Sequence, residues 1–393
     1  MLSRNRRRNF YFRFYISICF FITGYFVYLR SSSNPESNFQ KFTQVEPPKR
    51  QLFSLGSFNE YDIVEAEKFH DHGELEKTSG QTKIIILSYM RSGSTLLGKI
   101  LSSIENSFYI YEPYRLIQRF MEDNGPVTYA TLKKKDFFKI QKEWTKKILE
   151  CKLNETIFNR TFVESLKRQR LTKEYSDMLH QSLFQHNWDA YLKYNSLIEL
   201  EESRCKNSTY LVLKTIRIHS LESLWPTTEE VADLKFVHLL RDPRAVHNSR
   251  LRLKRNAGPR WVCEWPASNL EFIQRISEKD VYLFTRYYEF VYEEFAQNPL
   301  KKVNHLFQLF LNIKTTPKIR SVIQELTQTE SKLFKNFMLT NRNISQEVDK
   351  WKKELSFNER TLIEDSPVCQ NVMNYVGYKW PLVGYALDTQ HIS

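Results

Sequence analysis

A short isoleucine-rich run, followed by a loop rich in hydroxyl groups, constrains the fold of this chain more than any other feature. Residues 83–89 (KIIILSY) are apolar and few, which is typical of a strand buried in a parallel sheet. Residues 94–103 then have helical spacing. Loop N–H groups, the helix dipole and the Arg91 guanidinium would converge on one point, which predicts an anion site for phosphate or sulfate. The alternative is an ordinary turn, in which Gly93 shapes the backbone and Ser94 caps the helix.

The same segment matches most of the pattern of a nucleotide-binding P-loop, with four residues between Gly93 and the pair Gly98-Lys99. Ile100, however, stands where a Ser or Thr would have to reach a magnesium ion. Gly98 and Lys99 also fall a full turn inside the predicted helix rather than in the loop. A magnesium-dependent kinase is therefore the weaker hypothesis.

The rest of the chain alternates short apolar runs with helical patterns, and this alternation predicts an α/β fold with a central, mainly parallel sheet flanked by helices. Further strands are predicted at residues 210–214 (YLVLK), 235–240 (KFVHLL) and 281–287 (VYLFTRY), and helices at 243–251 and 300–311. Residues 121–200 are polar and favour helix, so we interpret them as an insertion over the sheet.

A second motif lies at residues 236–250 (FVHLLRDPRAVHNSR). A buried strand ends there, Asp242 can cap the following helix, and Pro243 suits its first turn. Arg241 at the end of the strand and Ser249 two turns into the helix could then reach one phosphate. A capped helix with exposed arginines is the alternative interpretation.

The N-terminus predicts a membrane anchor. Residues 1–9 are basic, residues 10–30 are apolar apart from Arg13 and Arg30, and about twenty helical residues span the hydrocarbon layer. The basic side should stay cytoplasmic, which predicts a single-pass type II protein with a stem at 31–80 and a lumenal domain at 81–393. A cleaved signal peptide is the alternative, but this run lacks a small-residue cleavage site.

Two features after the anchor favour a lumenal location. Four N-glycosylation sequons follow it, at Asn154, Asn159, Asn207 and Asn343. Four cysteines also follow it, and an even number in an oxidising compartment allows two disulfides. We favour the pairs that join sequence neighbours without nesting; four buried thiols are the alternative. These cysteines are Cys151, Cys205, Cys263 and Cys369.

Taken together, the two motifs resemble those of the Golgi carbohydrate 6-O-sulfotransferases, which sulfate N-acetylglucosamine, galactose or N-acetylgalactosamine. RSGST after a strand resembles the family's 5′-phosphosulfate loop, and LLRDPRAVxxSR resembles its 3′-phosphate motif. The resemblance runs from residue 83 to 378 and includes segments 111–113 (YEP), 213–217 (LKTIR), 292–299 (YEEFAQNP) and 369–378. Val291 departs from the family's usual Arg, and the loop after Arg250 is altered, which affects acceptor specificity more than the reaction.

The resemblance implies a P-loop-like sulfotransferase fold, with 3′-phosphoadenylyl sulfate (PAPS) as cosubstrate and a glycan or glycosaminoglycan as acceptor. It assigns Arg241 and Ser249 to the 3′-phosphate. It assigns the 5′-phosphosulfate to the loop and first helical turn, formed by Arg91, Ser92, Gly93, Ser94, Thr95, Leu96 and Leu97.

Sulfuryl transfer needs a base for the acceptor proton and cations for the leaving oxygen. Glu112 is the candidate base, and Arg91 and then Lys214 are the candidate cations. No metal is expected, because Arg91 and the loop amides supply the positive field. His219, His238 and His247 are alternative bases, although His238 alternates within a strand and suits the core.

The net charge of +13 also suits an anionic partner. Nucleic acid is disfavoured because the chain has no zinc spacing, basic-helix array or RNA-binding aromatic signature. A glycosyltransferase would be favoured by an Asp-x-Asp motif, which the chain lacks. A non-catalytic glycan-binding relative would be favoured by loss of Arg91 or Arg241, and both are present. The sequence leaves the sugar and the oligomeric state open, a homodimer among the options.

Overall fold

The chain folds around a parallel sheet. The computed structural model describes residues 80–114, 135–153, 198–255, 257–280, 282–328 and 343–379. Its sheet has five strands in the order β2-β3-β1-β4-β5, and every neighbouring pair is parallel. The predicted α/β fold with a parallel central sheet is confirmed. The strands are β1 (Thr82–Leu87), β2 (Ser107–Tyr111), β3 (Tyr210–Thr215), β4 (Leu234–Leu240) and β5 (Tyr287–Val291).

Helices connect and cover the strands. In chain order they are α1 (Ser94–Ser102), α2 (Lys135–Leu149), α3 (Leu221–Leu224), α4 (Thr227–Glu230), α5 (Pro243–Leu251), α6 (Pro259–Val262), α7 (Glu264–Ser277), α8 (Leu283–Arg286), α9 (Tyr292–Gln297), α10 (Pro299–His305), a π-helical turn (Leu306–Phe310), α11 (Pro317–Gln328), α12 (Ile344–Val348), α13 (Lys350–Glu354), α14 (Phe357–Glu364) and α15 (Pro367–Val376).

Both faces of the sheet are buried, which explains why its strands read as continuous apolar runs. Ile85 and Leu87 of β1 face a cluster that includes side chains of α2, α3 and α7. Ile84 and Ile86, pointing the other way, face a cluster formed with α1, α10 and α11. Alternate residues of one strand therefore stabilise two separate layers.

One strand prediction is wrong. Within 281–287, the chain instead forms the short helix α8, and β5 begins only at Tyr287. The reason is visible in the burial: Tyr282 and Phe284 are 61% and 63% exposed, whereas Leu283 and Tyr287 are buried. A spacing of four between buried residues is helical, so the aromatic composition indicated the wrong structure.

The N-terminal predictions fall outside the described residues, as does most of the predicted insertion. None of the described helices is both long and apolar enough to cross a membrane. Within the predicted insertion, α2 is described and is helical. Two disulfides join Cys151 to Cys205 and Cys263 to Cys369, the pairing that the sequence analysis favoured.

Candidate active site at the carboxyl edge of the sheet

The carboxyl ends of the strands bring the predicted site residues to one edge. Parallel strands all end at the same side of a sheet, where α/β proteins bind ligands. The strand order puts β1 in the centre, between β3 and β4. The loop after β1 is thus flanked by Lys214 near the end of β3 and by Arg241 after β4. Glu112 follows β2 on one side, and Tyr292 follows β5 on the other.

The loop after β1 is tightly folded. Arg91 and Gly93 both have positive φ, 76° and 100°. The Ser92 hydroxyl donates to the Tyr89 carbonyl at 2.7 Å, and the Ser92 N–H bonds the same carbonyl at 3.1 Å. Helix α1 then begins at Ser94. The loop N–H groups and the N-terminus of α1 therefore lie close together, and the anion site stays a prediction.

The first turn of α1 has a second role in packing. The N–H groups of Leu96 and Leu97 donate to the Gly93 carbonyl, and both side chains lie in the core. Leu96 and Leu97 therefore contribute to the helix and to the core. At the start of the helix, Ser94 is buried and Thr95 is partly exposed. Gly98 lies mid-helix against Tyr109, whose hydroxyl leaves no room for a side chain there. This position agrees with the argument against a P-loop kinase.

Tyr292 packs directly on Gly93. A Cβ atom on Gly93 would lie 2.6 Å from two atoms of the Tyr292 ring, so only glycine fits. The Arg241 guanidinium lies over the same ring, 4.3 Å from its centroid. One aromatic side chain therefore contacts both motifs.

The two motifs also bond to each other directly. The Arg91 Nε donates to the Ser249 hydroxyl at 3.0 Å, and an Arg241 Nη1 donates to the Arg91 carbonyl at 3.0 Å. Helix α5 begins as expected, with Pro243 in its first turn and the Asp242 carboxylate accepting from the Arg244 N–H at 2.9 Å. Segments some 150 residues apart thus form one surface.

Glu112 is held by two cations. The Lys214 Nζ donates to its Oε1 at 2.5 Å, and an Arg217 Nη1 donates to its Oε2 at 2.6 Å. Burial alone would raise the pKa of Glu112, but the charges of Lys214 and Arg217 outweigh burial and lower that pKa to about 2. Glu112 is therefore fully ionised at neutral pH. Arg217 lies in the segment 213–217 (LKTIR), but no role was predicted for it.

The three candidate histidines are all buried. His238 lies in the core between the Tyr89 and Tyr287 hydroxyls, at 2.7 and 2.6 Å, and burial lowers its pKa to about 3. Burial and then the charge of Arg217 lower the pKa of His219 to about 3, and its ring packs on Trp265. The His247 Nδ1 accepts from the Gly258 N–H at 3.0 Å. The expectation of a core histidine at 238 agrees with this geometry.

Glu293 is a further, partly buried carboxyl at this edge; it lies in the segment 292–299 (YEEFAQNP), but no role was predicted for it. Its oxygens accept from the Asp242 N–H at 3.1 Å and from the Tyr378 hydroxyl at 2.6 Å. Burial, with the charge of Asp242 beside it, raises the pKa of Glu293 to about 7. Both residues line a cavity of about 370 Å³ that also contacts Trp351.

Among the described residues, no group of three or more His, Cys, Asp or Glu side chains is placed to hold a metal ion. Two of the four sequons, at Asn154 and Asn159, lie outside the described residues. Asn207 is exposed in the turn before β3, and Asn343 immediately precedes α12.

Comparison with known proteins places this sequence in a family. A family model described as "Sulfotransferase family" matches residues 83–317, more than half of the chain. Carbohydrate sulfotransferase 3 of Mus musculus is 24% identical over 341 residues, covering 79% of this chain and 71% of that protein. Carbohydrate sulfotransferase 1 of Mus musculus is 25% identical over 343 residues, covering 77% and 80%. The sulfotransferase domain from the curacin biosynthetic pathway, at 17% identity, covers 77% of this chain and 99% of that chain with a TM-score of only 0.46.

Proposed function

The chain belongs to the sulfotransferase family and is a sulfotransferase enzyme; from that premise we propose that it transfers a sulfuryl group from PAPS to the 6-hydroxyl of N-acetylglucosamine, galactose or N-acetylgalactosamine in a glycan or glycosaminoglycan. The names of the relatives at 24–25% identity support a carbohydrate acceptor. The donor is supported by the geometry of the two motifs.

One observation carries the donor assignment: the two motifs share a surface that presents Arg91, Arg241 and Ser249 together. Among the described residues, the Arg241 Nε is buried without a hydrogen-bond partner. A buried donor of this kind is costly unless a ligand pairs with it, and a phosphate oxygen would do so. Arg241 and Ser249 would hold the 3′-phosphate, and the segment 91–95 the 5′-phosphosulfate.

The residues near β2 and β3 would carry the chemistry. As the acceptor oxygen bonds to sulfur, the bond from sulfur to the 5′-phosphate oxygen breaks, and the Glu112 carboxylate takes the hydroxyl proton. Arg91 and Lys214 would offset the charge that develops on the leaving oxygen. With a pKa of about 2, Glu112 is a weak base. It would therefore accept the proton late, once the bond to sulfur has made the hydroxyl acidic.

The location follows from the N-terminal sequence and the family. We propose that residues 10–30 anchor the protein in the Golgi membrane as a single-pass type II protein, with residues 81–393 in the lumen. The two disulfides and the exposed sequon at Asn207 are consistent with an oxidising lumen.

The direct test is transfer by the full-length chain. With ³⁵S-labelled PAPS and a panel of N-acetylglucosamine-, galactose- and chondroitin-based acceptors, we expect label on at least one carbohydrate, at a 6-hydroxyl assigned by mass spectrometry. A matched panel of 6-deoxy acceptors should take no label. Binding of PAP (the desulfated donor product, adenosine 3′,5′-bisphosphate) without transfer to any acceptor would instead indicate a non-catalytic relative, and label on the 6-deoxy sugars would refute the position.

A further inference from the structure

We propose that Arg217 is a positioning residue for the reaction, which holds the Glu112 carboxylate in the orientation and charge state needed to receive the acceptor proton. This inference rests on the proposed function, because it assumes that Glu112 is the base. It assigns to Arg217 a role distinct from donor binding.

The backbone fixes both partners. Glu112 has a positive φ of 47°, and its N–H donates to the Lys214 carbonyl at 2.7 Å. Arg217, two residues beyond β3, donates its N–H to the Thr215 hydroxyl at 3.1 Å and accepts at its carbonyl from Gln141 at 2.7 Å. Two anchored backbones therefore meet through one short ion pair, rather than through mobile surface side chains.

The two cations that contact Glu112 differ in position. The Lys214 side chain is 2% exposed and lies over the Tyr111 ring, 4.3 Å from its centroid. The Arg217 side chain is 15% exposed. Arg217 is thus the more exposed of the two cations, so we expect an acceptor to approach Glu112 from the side of Arg217. Each carboxylate oxygen has a second lone pair, so an acceptor hydroxyl can bond without displacing either cation.

The charge of Arg217 has a measurable consequence. A base works only when ionised, so activity is lost as pH falls through its pKa in the folded enzyme. Because Lys214 and Arg217 lower the pKa of Glu112 together, removing one raises it. The loss of activity at acid pH should therefore begin at a higher pH in the variant. Among the described residues, Tyr109 and Tyr111 on β2 and His219 beside Arg217 are further titratable groups near this pair.

The test uses the full-length protein with Arg217→Ala, Arg217→Gln and Arg217→Lys. We expect Ala and Gln to lower kcat roughly 10- to 100-fold and to move the acid limb of the kcat/KM profile to higher pH. PAP affinity should stay within about twofold, as calorimetry would show. Arg217→Lys, which keeps the charge, should recover most of kcat and the wild-type limb. Arg275→Ala, which removes an exposed cation on α7, is the matched control and should change nothing.

Several outcomes separate this inference from the proposed function. If the wild-type chain transfers no sulfuryl group to any acceptor, the proposed function fails. If the wild type is active and Arg217→Gln keeps its kcat and pH profile, the positioning role fails. Equal losses of kcat and PAP affinity would also refute it, since they indicate donor binding. If the acid limb shifts in Arg217→Gln but not in the double variant Arg217→Gln/His219→Phe, the titrating group is His219 rather than Glu112, which also refutes the role. If Arg217→Ala does not fold, the comparison of Arg217→Gln with Arg217→Lys decides.

Discussion

At the scale of single residues, two candidate catalytic side chains stand on unfavourable backbone. Arg91 and Glu112 have φ values of 76° and 47°, a region that costs residues other than glycine about 1–3 kcal/mol. Such conformations persist only where the surroundings impose them. At Glu112 the surroundings are the Lys214 carbonyl and two cations, and at Arg91 they are Ser249 and Arg241. Two of the seven described non-glycine residues with positive φ are therefore candidate catalytic residues.

Sequence reasoning identified these residues but not their partners. Glu112 followed an apolar run and Lys214 ended a strand, so both could be placed at the sheet edge. Their ion pair depends on β2 lying beside β3, which no local pattern encodes. Lys214 was therefore predicted only as a cation for the leaving oxygen, and the structure shows that it also pairs with Glu112.

Arg241 offers the sharpest test of donor recognition. In wild type, PAP should bind well and AMP poorly, because only PAP has a 3′-phosphate for Arg241 and Ser249. Arg241→Ala should weaken the binding of PAP by about 1.5–3 kcal/mol, which is the contribution of a charge-assisted hydrogen bond. The affinity for AMP should stay unchanged. Calorimetry on the full-length chain measures both. The control is Arg204→Ala, which removes an exposed arginine from the helical residues 198–206 before β3. Equal affinities of the wild type for PAP and AMP would contradict the assignment.

At the scale of elements, the start of α9 connects the two motifs. Tyr292 contacts Gly93 of the first motif and Arg241 of the second, and Glu293 bonds the Asp242 N–H. Adjacent residues of one helix thus fix both loops relative to β5. The short motif Tyr-Glu-acid drew attention in the sequence, but the contact across the sheet edge could not be inferred from it.

Tyr292 should therefore affect donor binding without being a phosphate ligand in our assignment. Tyr292→Ala removes a buried ring, which should lower the free energy of unfolding by about 3–5 kcal/mol. It should also lower the affinity for PAP at least about tenfold, because the cation–π contact with Arg241 is lost. Tyr292→Phe keeps the ring and should stay within about twofold. Tyr288→Ala in β5 is the matched control, because it removes a buried ring that contacts His305 and Phe310. If Tyr288→Ala weakens PAP equally, the effect is general destabilisation.

Some elements could be predicted closely and others not, for physical reasons. Residues 243–251 were predicted as a helix and are one, because a capping Asp242 and Pro243 define its start locally. The strand at 83–89 was nearly right, at Thr82–Leu87. The strand prediction for residues 281–287 was wrong because aromatic residues occur both in strands and in exposed helical turns. A local capping signal therefore fixed the start of α5, whereas no local signal distinguished the short helix α8 from a strand.

At the scale of the molecule, the site is assembled from distant parts of the chain. The central position of β1 places its loop between Lys214 and Arg241, and this strand order follows from the whole packing of the sheet. The sequence predicted parallel strands, and hence one common edge, but not which strands are neighbours. The composition of the site was predictable to that extent, and its geometry was not.

The two disulfides should differ in their effect on function. Cys263–Cys369 closes a separation of 106 residues and joins the residue before α7 to α15. It packs with Tyr89, Leu240 and Val291 at the carboxyl ends of three strands. Cys151–Cys205 closes 54 residues, and the Cys205 carbonyl accepts from Gln81 at the opposite edge.

Removing either pair as a double Ala variant should therefore cost about 2–5 kcal/mol of unfolding free energy, with the 106-residue loop costing about 0.6 kcal/mol more by loop entropy alone. Chemical denaturation of the full-length chain measures this cost. Only loss of Cys263–Cys369 should also weaken PAP, since only that pair supports the loops that hold the donor. Two outcomes would contradict this prediction: an unchanged PAP affinity when Cys263–Cys369 is removed, or a lowered PAP affinity when Cys151–Cys205 is removed. Either would show that the two edges of the sheet do not affect donor binding separately in the way that their packing implies.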